Sequence, residues 1–476
     1  MMSPQTHRQA KFGLSQKAAH NSVQGQPWDV IEKMLANIWA PDNPDGLSSM
    51  LNSQRVFLGV AENTLMQQEI ANYIKYHSNI ISNEHLGYGV GPRGSPRLKR
   101  ALALFFNSEF RTSEPVLERE LLVLPGVAAV IDALTWSTCN DGEGIITPVP
   151  FYTGFKPLIS GRSRGILVPA PFQCIEGYQG LDDIFDPSMN KKALENAIIQ
   201  ATQDGVKVRA VMISNPQNPL GRCYPAETLR EIARFCTSHE LHLISDEIFA
   251  ISVYVNPQAA NVTPFTSILE LDLDDCIDRH FVHVAYGMSK DFCATGLRLG
   301  VLQSRNEGLI AAVSSICVFG WVSYVTQDMW ADILSDEQFL VDFKTKNRQL
   351  LAKHCSIMRS FLDQHGIPFY TNVNAGVFIW VDLRRYLYSE PGQNRAPNEA
   401  DQASSMLDKY RDGELKLFNR FLEAGVGIAR GSSFSTEELG WFRVSFAIEE
   451  QALNLGLQRM VACLVSIQAE NENNKG

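Results

Sequence analysis

VKVRAVMISNPQNPLGRCYPAETLREIARFCTSHELHLISDEIF, residues 206–249, switches hydrophobic period twice, and those switches decide the class of fold. Residues 208–213 are a short apolar run that reads as a buried strand. It stops at Ser214-Asn215-Pro216-Gln217-Asn218-Pro219-Leu220-Gly221, where prolines and a glycine break regular structure. Pro225 then opens a helix predicted over 226–238, and 241–244 is a second strand, ending in Ser245-Asp246-Glu247. Strand, helix and strand in so short a span make a βαβ unit. Such units stack into an α/β fold with a mostly parallel sheet, whose functional groups gather in the crevice at the carboxyl ends of the strands.

Downstream, residues 281–300, FVHVAYGMSKDFCATGLRLG, extend the pattern. Residues 281–285 read as another buried strand; the run breaks at Gly287 and presents Ser289-Lys290 in a turn of small residues. Lys290 and Asp291 are the only formal charges between Phe281 and Leu297. An ammonium at the end of a core strand is desolvated, its pKa falls, and the neutral amine is a nucleophile toward carbonyls. After Ala294-Thr295-Gly296 comes Arg298, where a glycine-containing turn aims a guanidinium at an anion. The competing reading is a strand-terminal lysine reaching solvent beside a surface arginine. Asn218, Asp246 and Lys290, far apart in the chain, would share one edge of the sheet.

Upstream, LLVL at 121–124 is a strand that Pro125-Gly126 turns into a helix predicted over 127–138. Strand, glycine turn and helix start leave the backbone N–H groups of Gly126, Val127 and Ala128 available to a phosphate, and an ordinary crossover has the same pattern. Residues 144–147 form a further strand ending in PVPFY, where Phe151 and Tyr152 are either core rings or a platform for a flat ligand. FLGVAEN at 57–63 puts Glu62 and Asn63 at a strand end or in a structural turn. GYGVGPRG at 87–94 is no dinucleotide fingerprint, because no strand precedes it and Pro92 and Arg93 break the geometry; Tyr88 is its most substantial side chain. It leads into a helix with Ser95 as N-cap, Pro96 first, and Leu98, Ala101, Leu102, Phe105 and Phe106 on one face. GRSRG at 161–165 matches a nucleophile elbow by letter, but a strand follows it instead of a helix. HELH at 239–242 is one residue short of a zinc helix motif, so no metal site is expected.

The chain has 476 residues, 45% of them hydrophobic and 20% charged, enough for a large core and more than one subdomain. A net charge of -10 without a basic cluster argues against nucleic acid as a partner. The first residues lack an apolar leader and the chain lacks a long apolar run, so neither secretion nor a membrane span is expected, and a cytoplasmic protein is. Nine cysteines lie singly with no CxxC pair, as reduced thiols do. The expected organisation is a polar arm over 1–26, a first part of a small domain over 27–80 with a helix at 28–39, a large domain over 81–334, and a small α/β domain over 335–476. Within the last, a long helix is predicted over 337–365, a strand over 376–383, and a solvent loop over the polar insert 388–404.

NPQNPLG at 215–221, SDEIF at 245–249 and the turn from Ser289-Lys290 to Arg298 together resemble the fold-type I pyridoxal-phosphate enzymes of aminotransferase class I/II. GVAENTL at 59–65, NAGVFIWVDL at 374–383 and GSSFSTEELGWFRVSFA at 431–447 are similar to signatures of the 1-aminocyclopropane-1-carboxylate (ACC) synthase branch. The likeness runs from about residue 55 to 460. It implies a seven-stranded, mostly parallel sheet flanked by helices, with pyridoxal 5'-phosphate as cofactor. Lys290 would hold the cofactor covalently and later move a proton at the substrate α-carbon; Asp246 would pair with the pyridine nitrogen, and Asn218 with the ring oxygen. Arg298, Ser289 and the backbone of Gly126, Val127 and Ala128 would hold the phosphate. Phe151, with Tyr152 as second choice, would stack on the ring. Arg443 would clamp the substrate carboxylate, with Asn63 or the 59–61 backbone nearby; Glu62 and Tyr88 would also face substrate.

The same comparison exposes departures. Phe249 stands where the family has a tyrosine on the ring oxygen, Gly287 where a phosphate-binding serine is common, and Ala128 lacks a hydroxyl. The facing-subunit tyrosine of ACC synthases aligns with Pro92, which Tyr88 replaces only with a shifted loop. The resemblance also implies a homodimer, with Tyr88 and the N-terminal arm as the groups that cross over. Transamination of an amino acid in specialised, fungal metabolism is the favoured reaction. A carbon–sulfur lyase acting on cysteine adducts is second, and ACC formation third. A cofactor-binding regulator without catalysis is disfavoured by the retained Lys290, Asp246 and Arg443.

Overall fold

The computed structural model describes residues 15–24, 55–78, 82–260, 262–387 and 400–473. A two-residue strand, β1 (Val56–Phe57), precedes the main sheet, which is built from β2 (Leu121–Leu124), β3 (Gly144–Pro148), β4 (Ile166–Ala170), β5 (Val208–Ser214), β6 (His242–Asp246), β7 (Val282–Gly287) and β8 (Gly300–Ser304). Their order across the sheet is β2-β8-β7-β6-β5-β3-β4. Only β8 runs against its neighbours, β2 and β7; the remaining neighbour pairs are parallel. Strands such as β2 and β7 are buried at every position because helices cover both faces, which is why they read as unbroken apolar runs.

Helix Ala226–Ser238, between β5 and β6, buries Leu229, Ile232, Ala233, Phe235 and Cys236 on one face. Helix Pro96–Glu109 starts as the sequence dictates, with the Ser95 hydroxyl accepting the Leu98 N–H at 3.0 Å. Helix Val127–Thr138 follows Gly126, whose φ of +86° suits a residue without a side chain. Strand ends shift from expectation in one informative way. β6 runs to Asp246 and β7 to Gly287, because Asp246 is paired in the ladder with both Ser214 and Ala285. Asp246 is thus the last residue of a central strand, held by two neighbours.

Beyond the sheet lie β9 (Phe378–Asp382), β10 (Val426–Gly427), β11 (Ala429–Arg430) and β12 (Trp441–Ser445). β11, β12 and β9 form an antiparallel sheet, and β10 pairs in parallel with β1, which ties residues near both ends of the chain into one layer. Helix Glu337–Gln364 spans two cores: Leu340 and Phe343 belong to the core around the main sheet, and Leu351, Cys355, Met358 and Leu362 to the core around β9 and β12.

Several expectations change here. The described part of the N-terminal arm is a helix, Gln16–Gln24, with Ala19 buried and His20 Nε2 3.2 Å from the Ser160 carbonyl. The helix expected at 28–39 lies outside the described residues, as does the insert from 388 to 399; residues 400–404, expected in a loop, begin the helix Ala400–Glu423. Helix Glu450–Asn473 has the length and apolar content of a membrane span. Part of that content, Ala452, Leu453, Leu457, Met460, Cys463 and Leu464, is packed into the second core, with Leu455, Val461 and Ile467 lying against it.

Candidate active site

The carboxyl ends of β5, β6 and β7 meet where the parallel sheet leaves a crevice. After β7 the chain makes one helical turn, Met288–Asp291, and this turn is fixed from below. The buried Asp291 carboxylate accepts hydrogen bonds from Ile251 N at 2.9 Å, Ser252 Oγ at 2.6 Å and Tyr286 OH at 3.0 Å. With Asp291 anchored, its neighbour Lys290 turns into the crevice and donates from Nζ to the Ala61 carbonyl at 2.7 Å. Burial lowers the Lys290 pKa to about 8; Glu62 and Asp246 pull it up, and Arg443 and Arg298 push it down. Five charged groups distant in sequence therefore share one field.

Asp246 is buried and takes one hydrogen bond, from Ile248 N at 3.2 Å. Burial pushes its carboxyl up to about 7, while the Ile248 N–H and Lys290 act the other way. A cationic group beside it would hold it ionised. Asn218 is buried, and its Oδ1 accepts from Arg443 Nη1 at 2.9 Å, which leaves the amide NH2 free to turn toward the crevice.

Arg443 lies on β12, and its second Nη donates to the Gly59 carbonyl at 2.8 Å. Its guanidinium is sandwiched between Phe378, 4.9 Å from ring centroid to Cζ, and Phe434 at 4.8 Å. Nε is buried and has no acceptor. Burial brings the pKa down to about 10. A buried cation with donors to spare is a site for an anion.

Arg298, in the left-handed region at φ +51°, donates from Nη1 to the Thr295 carbonyl at 2.9 Å. Its guanidinium lies against Gly126, where a β-carbon would stand 2.6 Å from Nη2. Val127 and Ala128 open the helix beyond, which no side chain caps. Guanidinium and uncapped helix start make a cradle for a phosphate. Ser289, buried, sits beside Lys290 on the same turn. A side chain at Gly287 would place its β-carbon 2.6 Å from the Leu299 carbonyl, so the backbone itself keeps a serine out.

Several predicted residues are placed differently. Phe151 is buried in the main core, with its N–H on the Phe434 carbonyl at 3.0 Å. Tyr152 instead feels Arg443, Asp246 and Arg298 together, and Gly154 makes room for its ring: a β-carbon there would lie 2.4 Å from it. Tyr152, the second choice, is the ring that faces the crevice. Asn63 is fully buried and committed elsewhere, donating to Asn347 Oδ1 at 2.9 Å and accepting from Leu65 N at 3.1 Å. Glu62 accepts from the Thr295 hydroxyl. Phe249 is buried, edge-on to Phe378 with centroids 5.6 Å apart. Tyr88 is not brought to the crevice of its own chain; it is 85% exposed and leans on Trp321 at 5.5 Å. Thr295, Phe378 and Phe434 went unnoticed in the sequence. The phenylalanines lie inside the quoted 374–383 and 431–447 motifs, where their spacing reads as core.

Comparison with known proteins agrees with this geometry. Residues 56–460 match the model of the family described as aminotransferase class I and II. The chain is 31% identical over 438 residues to 1-aminocyclopropane-1-carboxylate synthase 6 of Oryza sativa subsp. japonica, covering 88% of this chain and 72% of that one. A 1-aminocyclopropane-1-carboxylate synthase of Glycine max is 28% identical over 414 residues, 86% and 75% of the two chains. Among solved structures, Thermus thermophilus aspartate aminotransferase with maleate superposes with a TM-score of 0.67 at 19% identity, covering 95% and 99%. An aromatic aminotransferase from Pyrococcus horikoshii gives 0.66 at 22%, covering 89% and 99%. The structural likenesses carry the fold, and the match along nearly the whole chain carries the family. The chain belongs to the aminotransferase class I and II family of pyridoxal-phosphate-dependent enzymes.

Proposed function

We propose that the protein binds pyridoxal 5'-phosphate in this crevice and transforms an amino acid, with transamination as the favoured reaction. The observation that carries the reading is the pairing of a buried, partly unsatisfied Arg443 with an amine of lowered pKa, Lys290, in one field. The residues fit the cofactor: an uncapped helix start and Arg298 for its phosphate, Tyr152 for its ring face, Asp246 for its ring nitrogen and Asn218 for its ring oxygen. Bound there, it supplies the electron sink that makes bonds at the substrate α-carbon breakable. Arg443 binds and orients the carboxylate through Nε and Nη, and the phenylalanine faces on either side keep water from competing. Lys290, neutral in an appreciable fraction at physiological pH, takes the α-proton and returns it.

A second reading is supported by the ACC synthase relatives: elimination at a carbon–sulfur bond, with or without ring closure. Glu62, held by Thr295, adds an anion to the field of Lys290 in either case. Purified protein loaded with the cofactor should be given single amino acids, S-substituted cysteines and S-adenosylmethionine in turn, with products identified. A keto acid with the cofactor converted to its amine form means transamination. Pyruvate, ammonia and a free thiol mean a lyase, and ACC means cyclisation. No product from any of these would defeat the proposal. We further propose a homodimer joined near the exposed Tyr88, Val90 and Phe319, and a reducing, cytoplasmic setting in keeping with nine unpaired cysteines. A role in specialised fungal metabolism remains the context we favour.

A further inference from the structure

The segment from Gly431 to Gly440 is a strap whose base and tip are held by different parts of the fold. At the base, the buried Glu414 carboxylate of helix Ala400–Glu423 accepts from Ser432 N at 3.1 Å and from Gly440 N at 3.4 Å. At the tip, Glu437 reaches the main sheet. Its two oxygens accept from the consecutive amides Phe172 N and Gln173 N, both at 2.9 Å. These amides follow β4, the edge strand, and Pro171, so they lie past the end of the sheet ladder and have the carboxylate as partner. One carboxylate on two backbone N–H groups is a charge-assisted, geometrically specific contact. Next to Glu437, Glu438 faces the other way, onto Arg384 Nη1 at 2.7 Å and Trp441 Nε1 at 3.0 Å.

What the strap carries is Phe434. Its carbonyl accepts the Phe151 N–H, its ring meets Trp380 edge-on at 5.4 Å, and the same ring forms one wall of the Arg443 sandwich. Glu414 fixes the base, and the Glu437 contact adds a hold at the tip, three residues beyond Phe434, to those that Phe151 and Trp380 give it directly.

We propose that Glu437 is a positioning residue: by pinning the strap to Phe172 and Gln173 it fixes Phe434 on Arg443 and so sets the affinity for a carboxylate-bearing substrate. The inference rests on the reading of Arg443 as the carboxylate clamp. The test uses the full chain loaded with pyridoxal phosphate, as wild type and as Glu437→Ala, Glu437→Gln and Glu437→Asp. Hydrogen–deuterium exchange reads the strap, and spectral titration with L-alanine and with ethylamine, which lacks the carboxylate, reads the clamp. In Glu437→Ala the amides of Phe172 and Gln173 should exchange about tenfold faster or more, with β3 unchanged as a control for the fold. The L-alanine dissociation constant should rise about tenfold while that of ethylamine stays put, with Glu437→Gln intermediate and Glu437→Asp partly restored. Unchanged exchange at those amides, or a loosened strap with unchanged L-alanine affinity, would overturn the proposal. Wild-type protein binding L-alanine no better than ethylamine would overturn the clamp reading itself, and the proposal with it, even where the exchange data show the pin.

Discussion

An ammonium enclosed in a crevice loses hydration, and Lys290 responds by giving up its proton near pH 8 instead of 10.5. The sign is that of a base destabilised in its charged form: the neutral fraction reaches one half at about pH 8 and levels off roughly one to two pH units higher, whereas an ordinary lysine reaches one half near 10.5. In cofactor-free protein, acylation of Lys290 followed by mass spectrometry should therefore be half-maximal near pH 8, and a midpoint near 10.5 would show an ordinary solvated lysine. Arg443 invites a sharper substitution. Arg443→Lys keeps charge but loses the planar fork that bonds Asn218 and Gly59 and stacks between two rings, so KM for an amino acid should rise by about a hundredfold with a smaller fall in kcat. An unchanged KM would assign the carboxylate to another group. Phe249→Tyr adds a hydroxyl close to Phe378; if the cofactor's ring oxygen lies there, the pKa read from the visible absorbance of the loaded enzyme should fall, and a pH titration without a shift would locate that oxygen elsewhere.

At the scale of elements, the turn at Gly126 couples backbone conformation to anion binding. Gly126→Ala brings in a β-carbon 2.6 Å from the Arg298 guanidinium, at φ +86° and ψ 165°, a region that is essentially glycine's alone and costs about 1–3 kcal/mol. Arg298 must move, so cofactor affinity should drop by about tenfold, with the melting temperature of the cofactor-free protein lowered by a few degrees from the backbone strain; retained affinity would mean that the phosphate does not sit in this cradle. Elements of this kind were the legible part of the chain. Helices Val127–Thr138 and Ala226–Ser238 and strand Leu121–Leu124 end where prolines, glycines and changes of period say they should. The reading was weaker wherever a side chain had to be aimed. Adjacent rings at Phe151 and Tyr152 both touch Phe155, and only the three-dimensional structure shows that Tyr152 is the one sharing a field with Arg443, Asp246 and Arg298. Asn63 reads in the sequence as a strand-end or turn residue near the substrate carboxylate, and its commitment to Asn347 is a contact across most of the chain that no local pattern encodes.

Among the described residues, one group of exposed apolar side chains lies on two neighbouring segments. Leu86, Tyr88 and Val90 on one loop, and Val318 and Phe319 on another, are more than half exposed, and Tyr324 ties the two regions by bonding Val90 N and the Gly91 carbonyl, each at 3.1 Å. Such a patch fits a contact with a second copy. Phe319→Asp should shift the proposed homodimer toward monomer in sedimentation and reduce activity, and unaltered sedimentation would move the proposed interface off this face. The long helix Glu337–Gln364 has a different consequence. Because its first turns are built into one core and its later turns into the other, neither core can melt without stripping partners from a rod shared with its neighbour. The chain should behave as a single cooperative unit on heating, its two lobes losing structure in one transition despite their separate sheets.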